Sequence, residues 1–282
     1  MKLLDYIASP GSAREGGIKR GSGDDRYVFD EAAGWACVID GATDVGPVRV
    51  FSKGESDAAR FAELFAAELL AQPAGAAETP QAYFSRFIPR LRAAVEKELR
   101  LSLKDAPLAS YPTAAATWIR VQQAKIETAT LGDTVAIVRS PKGALSVLGE
   151  TGKPAEEQAR AKKVMMMTPE QRLKWLQNVR AIHNTEQGYW VFGVQPEAAA
   201  HIVYGNADAA PGTRVLLMTD GFYRLVSPYG RYDDAGLMDA VLAKGLGVVL
   251  AELRGMEASP EDDARIGRFK TSDDATALLL EC

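Results

Sequence analysis

At 282 residues the chain can hold one large domain or two small ones, and its 47% hydrophobic and 25% charged residues are those of an ordinary soluble globular protein able to bury a core. A net charge of −4, with no Lys/Arg block and no basic-aromatic ladder, excludes nucleic acid as the expected partner. Cys37 and Cys282 make neither a disulfide framework nor a CxxC metal pair, which fits a reducing compartment.

The N-terminal "MKLLDYIASPGSAREGG" has one lysine and an apolar patch broken by Asp5, too weak for a signal peptide, and no stretch approaches the ~18 apolar residues of a membrane helix. A cytoplasmic protein with no membrane partner is expected, with a monomer favoured. "GSGDDRYVF" sets Asp24 and Asp25 before an apolar strand, and Trp35 to Ile39 reads as a second strand that breaks straight into Asp40 and Gly41. Two helices follow. In "ESDAARFAELFAAELLAQ", Phe61, Leu64, Phe65 and Leu69 share one stripe; in "YFSRFIPRLRAAVEKEL", Phe84, Ile88, Leu91, Val95 and Leu99 do, with Pro89 expected to kink the helix. Ala114 to Val121, Ile126 to Leu131 and Thr134 to Val138 are strands joined by connections as short as "QQAK" and "GD", a spacing that predicts antiparallel hairpins. "TPEQRLKWLQNVRAI" predicts a helix with Thr168 as N-cap, Pro169 at the first position and Gln171 completing a capping box. Tyr189 to Phe192 and Val215 to Met218 read as strands, "GLMDAVLAKGLGVVLAELR" as a helix weakened by Gly245 and Gly247, and Ala275 to Leu280 as the last strand. This order is α+β, with no repeat and no Pro/Gly/Ser-rich linker, so residues 1–282 are expected to form a single domain.

The Asp40–Gly41 step has an echo. "RVLLMTDGF" again sets an acid and a glycine, Asp220 and Gly221, after an apolar run, while "SDDATALLL" opens a strand with Asp273 and Asp274. Asp-Gly after a strand is also an ordinary turn signal. If the strand ends converge, however, like charges within ~4–6 Å destabilise one another until a cation joins them. All-oxygen ligands suit Mg²⁺ or Mn²⁺, and with His183 and His201 the only histidines, both read as structural or surface residues, zinc and copper are disfavoured.

The segments "RGSGDDRYV", "ACVIDGATD", "PTAAATWIRV…IETATLGDTVAIV", "VLLMTDGFYRLV" and "SDDATALLL" resemble, in order and spacing, those of the metal-dependent protein phosphatases, the type 2C serine/threonine phosphatases. The likeness spans roughly residues 15–281, with 141–190 and 227–265 least matched. It implies a four-layer α-β-β-α sandwich, two central antiparallel sheets flanked by helices, with metals in a channel at one edge. It implies two Mn²⁺ or Mg²⁺ ions, bridged by Asp40, with the Gly41 carbonyl on one and Asp220 and Asp273 on the other. Asp24 would reach the first ion, often through water, Asp133 would bind a third, weaker ion, and Arg20 would grip the substrate phosphate. The implied reaction is hydrolysis of phosphate monoesters, on phosphoserine or phosphothreonine of a phosphoprotein, by direct attack of a water bridging the two ions.

The chain departs from this pattern in having Asp24 where the family commonly has Glu, and Ala42, Thr43 and Asp44 where many members have histidine or Met-Gly-Gly. Protonation of the leaving group then falls to a metal-bound water or another acid, and Asp44 reads as a surface turn residue. Residues 141–190 stand where the family carries a variable flap; Met165, Met166, Met167 and Trp175 there either form an adaptable substrate surface or pack their helix down as core. The alternative from another class is a catalytically weak or inactive phosphatase-like module that binds phosphoproteins or partners. A thiol phosphatase is excluded, since Cys37 has Thr43 and not arginine six residues on; "GETGKP" meets Pro154 where a phosphate loop needs Ser or Thr; and "VIDGAT" has only one acid of an Asp-x-Asp nucleophile pair.

Overall fold

The computed structural model describes residues 1–11, 23–149, 164, 166–259 and 272–282. One antiparallel sheet runs β1 (Lys2–Ser9), β10 (Ala275–Glu281), β9 (Arg214–Met218), β6 (Val135–Arg139), β7 (Leu145–Gly149). The other runs β2 (Arg26–Asp30), β3 (Trp35–Gly41), β4 (Ala114–Gln122), β5 (Lys125–Leu131), β8 (Val203–Asp208). Of the helices, α1 (Asp57–Ala71) and α2 (Pro80–Glu96) follow β3, α3 (Pro169–Ala181) and the single turn α4 (Asp220–Tyr223) lie on either side of β9 in sequence, and α5 (Asp234–Lys244) and α6 (Leu246–Ala258) precede β10.

The apolar runs are continuous because both faces of each central strand are buried, and side chains alternate between two cores. On β3, Trp35, Cys37 and Ile39 pack under α1 and α2, while Ala36 and Val38 point into the space between the sheets. On β9 and β10, Leu216, Met218, Ala277 and Leu279 pack under α5 and α6, while Val215, Leu217, Leu278 and Leu280 meet β3 and β4 between the sheets. These three cores stack helices, sheet, sheet and helices in the four layers the resemblance implies. The outer core beneath α1 and α2 is aromatic: Tyr83 stacks on Trp118 at 5.8 Å, and Phe65 meets Phe192 edge-on at 5.0 Å. Such pairs add about 0.5–1.5 kcal/mol each beyond the burial of their area.

Several elements differ from expectation for identifiable reasons. The helix expected over 236–254 is two, divided at Gly245, whose φ of 83° ends α5, while the Asp5 carboxylate accepts from Leu246 N at 3.0 Å and caps α6. β4 and β5 form the expected hairpin, but β5 and β6 do not: the chain crosses at Gly132–Thr134 to the other sheet, where β6 pairs with β7 and β9. Tyr189 to Phe192 is not a strand. Only Phe192 bridges β4, at Ala114, beyond the last residue that β5 pairs. β1, β7 and β8 are additional to the expected strands; β1 and β8 are edge strands with weak burial, and β1 carries a register shift between Leu3 and Asp5. The Thr168 capping box is present, and α2 runs on through Pro89. Among the described residues, no helix is long and apolar enough to cross a membrane.

Candidate active site

Strand parity decides which acids face one another. The inward series Ala36, Val38 on β3 continues to Asp40, and on β4 Ile119 and Val121 set the same parity for Ala115, directly across from Asp40. On β2, Tyr27 and Phe29 pack toward the space between the sheets while Val28 joins the outer core. Asp25 therefore shares the inner face and Asp24 does not. The register Arg26↔Ile39, extended by one pair, sets Asp25 opposite Asp40.

At this end of the sandwich Asp40, Gly41, Asp133, Asp220 and Asp273 line a single cleft of about 220 Å³, whose wall also includes Thr43, Asp274, His183 and Tyr189. Asp133 reaches it from the crossing between the two sheets. Both Asp-Gly steps need their glycine for close approach. A Cβ on Gly41 would stand 2.6 Å from the Asp24 carbonyl oxygen and 2.9 Å from that of Ala58, and one on Gly221 would overlap the Asp274 carbonyl oxygen.

The charges in this region oppose one another. Burial, then Asp274, holds the Asp25 carboxyl well above the usual carboxylate range, and burial, then Asp25, Asp220 and Asp133, does the same to Asp40. Asp25 Oδ2 accepts from Thr219 Oγ1 at 2.9 Å, but Oδ1 is buried with no hydrogen-bond partner, a costly arrangement for a carboxylate. Among the described residues no group of three or more His, Cys, Asp or Glu side chains is already arranged to hold an ion. The donor set nonetheless fits a hard divalent cation. It is oxygen-only, crowded with like charge, and includes a buried carboxylate oxygen lacking a partner. On the β10 side a protein cation contributes: Arg224 Nη1 lies 3.4 Å from Asp273 Oδ2 and, despite its own burial, is held above its ordinary value by Asp273 and Asp220.

Other expected residues fall elsewhere. Asp24 is turned from the cleft wall: its Oδ1 accepts from Ser56 Oγ at 2.5 Å, beside the N-terminus of α1. Asp44 is no loose turn residue, since its two oxygens accept from Asp57 N at 2.8 Å and Ala58 N at 3.0 Å and so cap α1. Arg20 and Met165 lie outside the described residues. Met166 is 91% exposed and α3 buries none of its residues, so this helix is not packed down as core. His183, far from either Asp-Gly step in sequence, lines the cleft because the Phe192 bridge returns its segment to Ala114, the neighbour of Gly41. Burial, then Arg180, pushes its imidazole down to about 4, so it is neutral at neutral pH. Asp25 was available to sequence reasoning through the parity of Tyr27 and Phe29; nothing local in the sequence marks His183.

Residues 18–244 match the sequence profile of the family Protein phosphatase 2C. No curated protein matches the chain. Among solved structures, the Mycobacterium tuberculosis serine/threonine phosphatase PstP/Ppp is 15% identical, with 99% of each chain covered and a TM-score of 0.57. The catalytic domain of PstP in complex with two manganese ions is 16% identical, covering 99% of this chain and 98% of that one, at a TM-score of 0.53. The PPM Ser-Thr phosphatase MsPP from Mycobacterium smegmatis, in complex with cacodylate, is 17% identical, covering 100% and 99%, at 0.52. These likenesses carry the fold, and the profile, spanning well over half the chain, carries the family. The chain belongs to the protein phosphatase 2C family of metal-dependent phosphoprotein phosphatases.

Proposed function

We propose that the chain hydrolyses phosphoserine and phosphothreonine esters in a phosphoprotein, using two divalent cations, Mn²⁺ or Mg²⁺, held at the cleft between the sheets. The observation that carries the reading is the convergence of Asp40, Gly41, Asp220 and Asp273, drawn from both sheets, on one cleft. In this reading Asp40, the Gly41 carbonyl, Asp220 and Asp273 hold the two ions, and Asp133 offers a place for a third, weaker one. The inward Asp25, and not Asp24, is the acid that supports the first ion. When bound, such a pair lowers the pKa of a shared water and offsets charge developing on the phosphoryl oxygens.

The chain's own residues do the rest. Thr219 holds Asp25 in place through its hydroxyl, and the two glycines allow the backbone approach on which the cleft depends. Arg20 grips two phosphate oxygens, and His183, uncharged at neutral pH, offers the substrate a hydrogen bond rather than a charge. Water attacks phosphorus directly, so no phosphoenzyme accumulates. The test is hydrolysis of p-nitrophenyl phosphate and of a phosphoserine peptide with Mn²⁺ and with EDTA. Turnover that requires Mn²⁺ supports the reading; turnover absent under both conditions, with a phosphopeptide still bound, leaves a binding module instead.

A further inference from the structure

The loop that follows Asp40–Gly41 is held from three directions. On one side Ala42 N donates to Thr113 O at 3.0 Å; because the peptide is planar and trans, the Gly41 carbonyl is thereby directed away from Thr113. Beneath it, Asp44 is fixed on the N-terminus of α1 by its bonds from Asp57 N and Ala58 N. The third hold comes from α3, about 140 residues further on by the numbering of the chain. Arg180 donates from Nη1 to Ala42 O at 3.4 Å and from Nη2 to Thr43 O at 3.1 Å, and Gln177 Nε2 donates to Val45 O at 3.0 Å. Residues three apart share a helix face, so both donors reach the loop from one side of α3.

A helix with no fully buried residue could rest on the body through apolar contact alone, and α3 does pack along the short 3-10 turn Leu108–Ser110. Instead it spends a guanidinium, whose partial burial pulls the Arg180 charge below its ordinary pKa, with Asp44 the acid that resists the shift. Desolvating a guanidinium is unfavourable unless its hydrogen bonds have a specific geometry to satisfy. The geometry satisfied here is that of two successive carbonyls immediately after Gly41. We propose that Arg180, assisted by Gln177, is a positioning residue that fixes the 42–45 loop, and with it the Gly41 carbonyl, in the form that binds a divalent cation. The proposal rests on the two-cation reading of the cleft. It makes α3 a part of the metal site without contributing a ligand to it.

The experiment is calorimetric titration of the metal-free full chain with Mn²⁺, substrate absent, for the parent, Arg180→Ala, Arg180→Lys and Gln177→Ala, with circular dichroism melts of each. Partners that orient a ligand typically cost about 10–100-fold in metal affinity when removed. Arg180→Ala is expected to weaken Mn²⁺ binding by about 10-fold, with Arg180→Lys between it and the parent, since one ammonium cannot span both carbonyls as the fork does. Gln177→Ala, which leaves the Arg180 guanidinium in place, is expected to weaken it about 3-fold, less than the loss of a full orienting partner. The Mn²⁺ concentration giving half-maximal p-nitrophenyl phosphate turnover should rise in parallel, with kcat largely recovered at saturating Mn²⁺. Folded variants that bind Mn²⁺ as tightly as the parent overturn the role of Arg180 and leave the cleft reading intact. A parent chain that binds no Mn²⁺ overturns the cleft reading itself, and this proposal with it.

Discussion

The acids contributed by β3 and those contributed around β9 and β10 differ in what balances their charge. The charges that weigh most on Asp40 are carboxylates, Asp25, Asp220 and Asp133, and they act with burial in the same direction. Asp273 instead faces Arg224 at 3.4 Å, and its backbone is held as well: Arg254 donates to Asp273 O at 2.8 Å, and Glu257 accepts from Asp273 N at 3.4 Å. One half of the cleft thus carries an unmet need for positive charge and the other half a built-in partial answer. The lesson is that acids set alike at the ends of apolar strands do different work once the fold supplies their neighbours.

The largest effect that breaks this contrast is loss of turnover. Asp40→Asn is expected to reduce Mn²⁺-dependent p-nitrophenyl phosphate hydrolysis by at least about 10²–10³-fold, the loss typical of removing one preorganised electrostatic group. Its metal-free melting temperature should equal or exceed the parent's, because one of several mutually repelling buried charges is gone. Asp273→Asn should also lower turnover sharply, yet melt lower, since the largely buried Arg224 is left with a weaker acceptor; the expected loss is about 1–3 kcal/mol. Melts that move in the same direction for both variants would show that the two halves are electrostatically equivalent.

A finer test separates the adjacent acids of β2. Asp25→Asn is expected to weaken Mn²⁺ binding by about 10–100-fold, as loss of a supporting partner does, while Asp24→Ala leaves affinity nearly unchanged and lowers stability by about 1 kcal/mol through its bond to Ser56. Calorimetric titration of both reads the difference directly, and equal affinities would return Asp24 to the role that the family resemblance implies. Mn²⁺ at a hundred times its dissociation constant should stabilise the parent by about 2.7 kcal/mol, and Asp25→Asn by correspondingly less at the same concentration.

What the sequence made legible follows from how local each signal is. Asp40, Gly41, Asp220 and Asp273 announce themselves because an acid at the end of an apolar run is visible in a few residues, and the cleft gathers all of them. The choice between Asp24 and Asp25 needed a face assignment, which rests on how Tyr27 and Phe29 pack against the opposite sheet. Asp44 looked like a turn because its partners, the first amides of α1, are thirteen and fourteen residues away. His183 and Arg180 were out of reach altogether. Their placement depends on a single bridge, Phe192 to Ala114, and on hydrogen bonds to carbonyls, which any residue in the loop would supply and no sequence pattern records. The crossing from β5 to β6 misled for a similar reason: a three-residue connection suits a hairpin or a step between sheets, and only the pairing of β6 with β9 decides.

The smallest expected effect calibrates the contrast with a carboxylate that has both a cation and water beside it. Glu78 receives two bonds from Arg86, at 2.6 and 2.7 Å, and one from Gly75 N at 3.0 Å, and the Arg86 bonds above all hold its carboxyl down at about 2. A carboxyl depressed in the folded state contributes stability above its unfolded pKa, near the ordinary glutamate value of about 4.3, and that contribution fades as pH falls toward the folded value. Because the Arg86 side chain is 39% exposed, screening keeps the contribution under about 1 kcal/mol. Glu78→Gln should therefore melt slightly below the parent at pH 7 and together with it near pH 2. A gap that persists at acid pH would mean that packing, and not charge, is what Glu78 contributes, and it would remove the paired surface carboxylate as the reference against which Asp40 and Asp25 stand out.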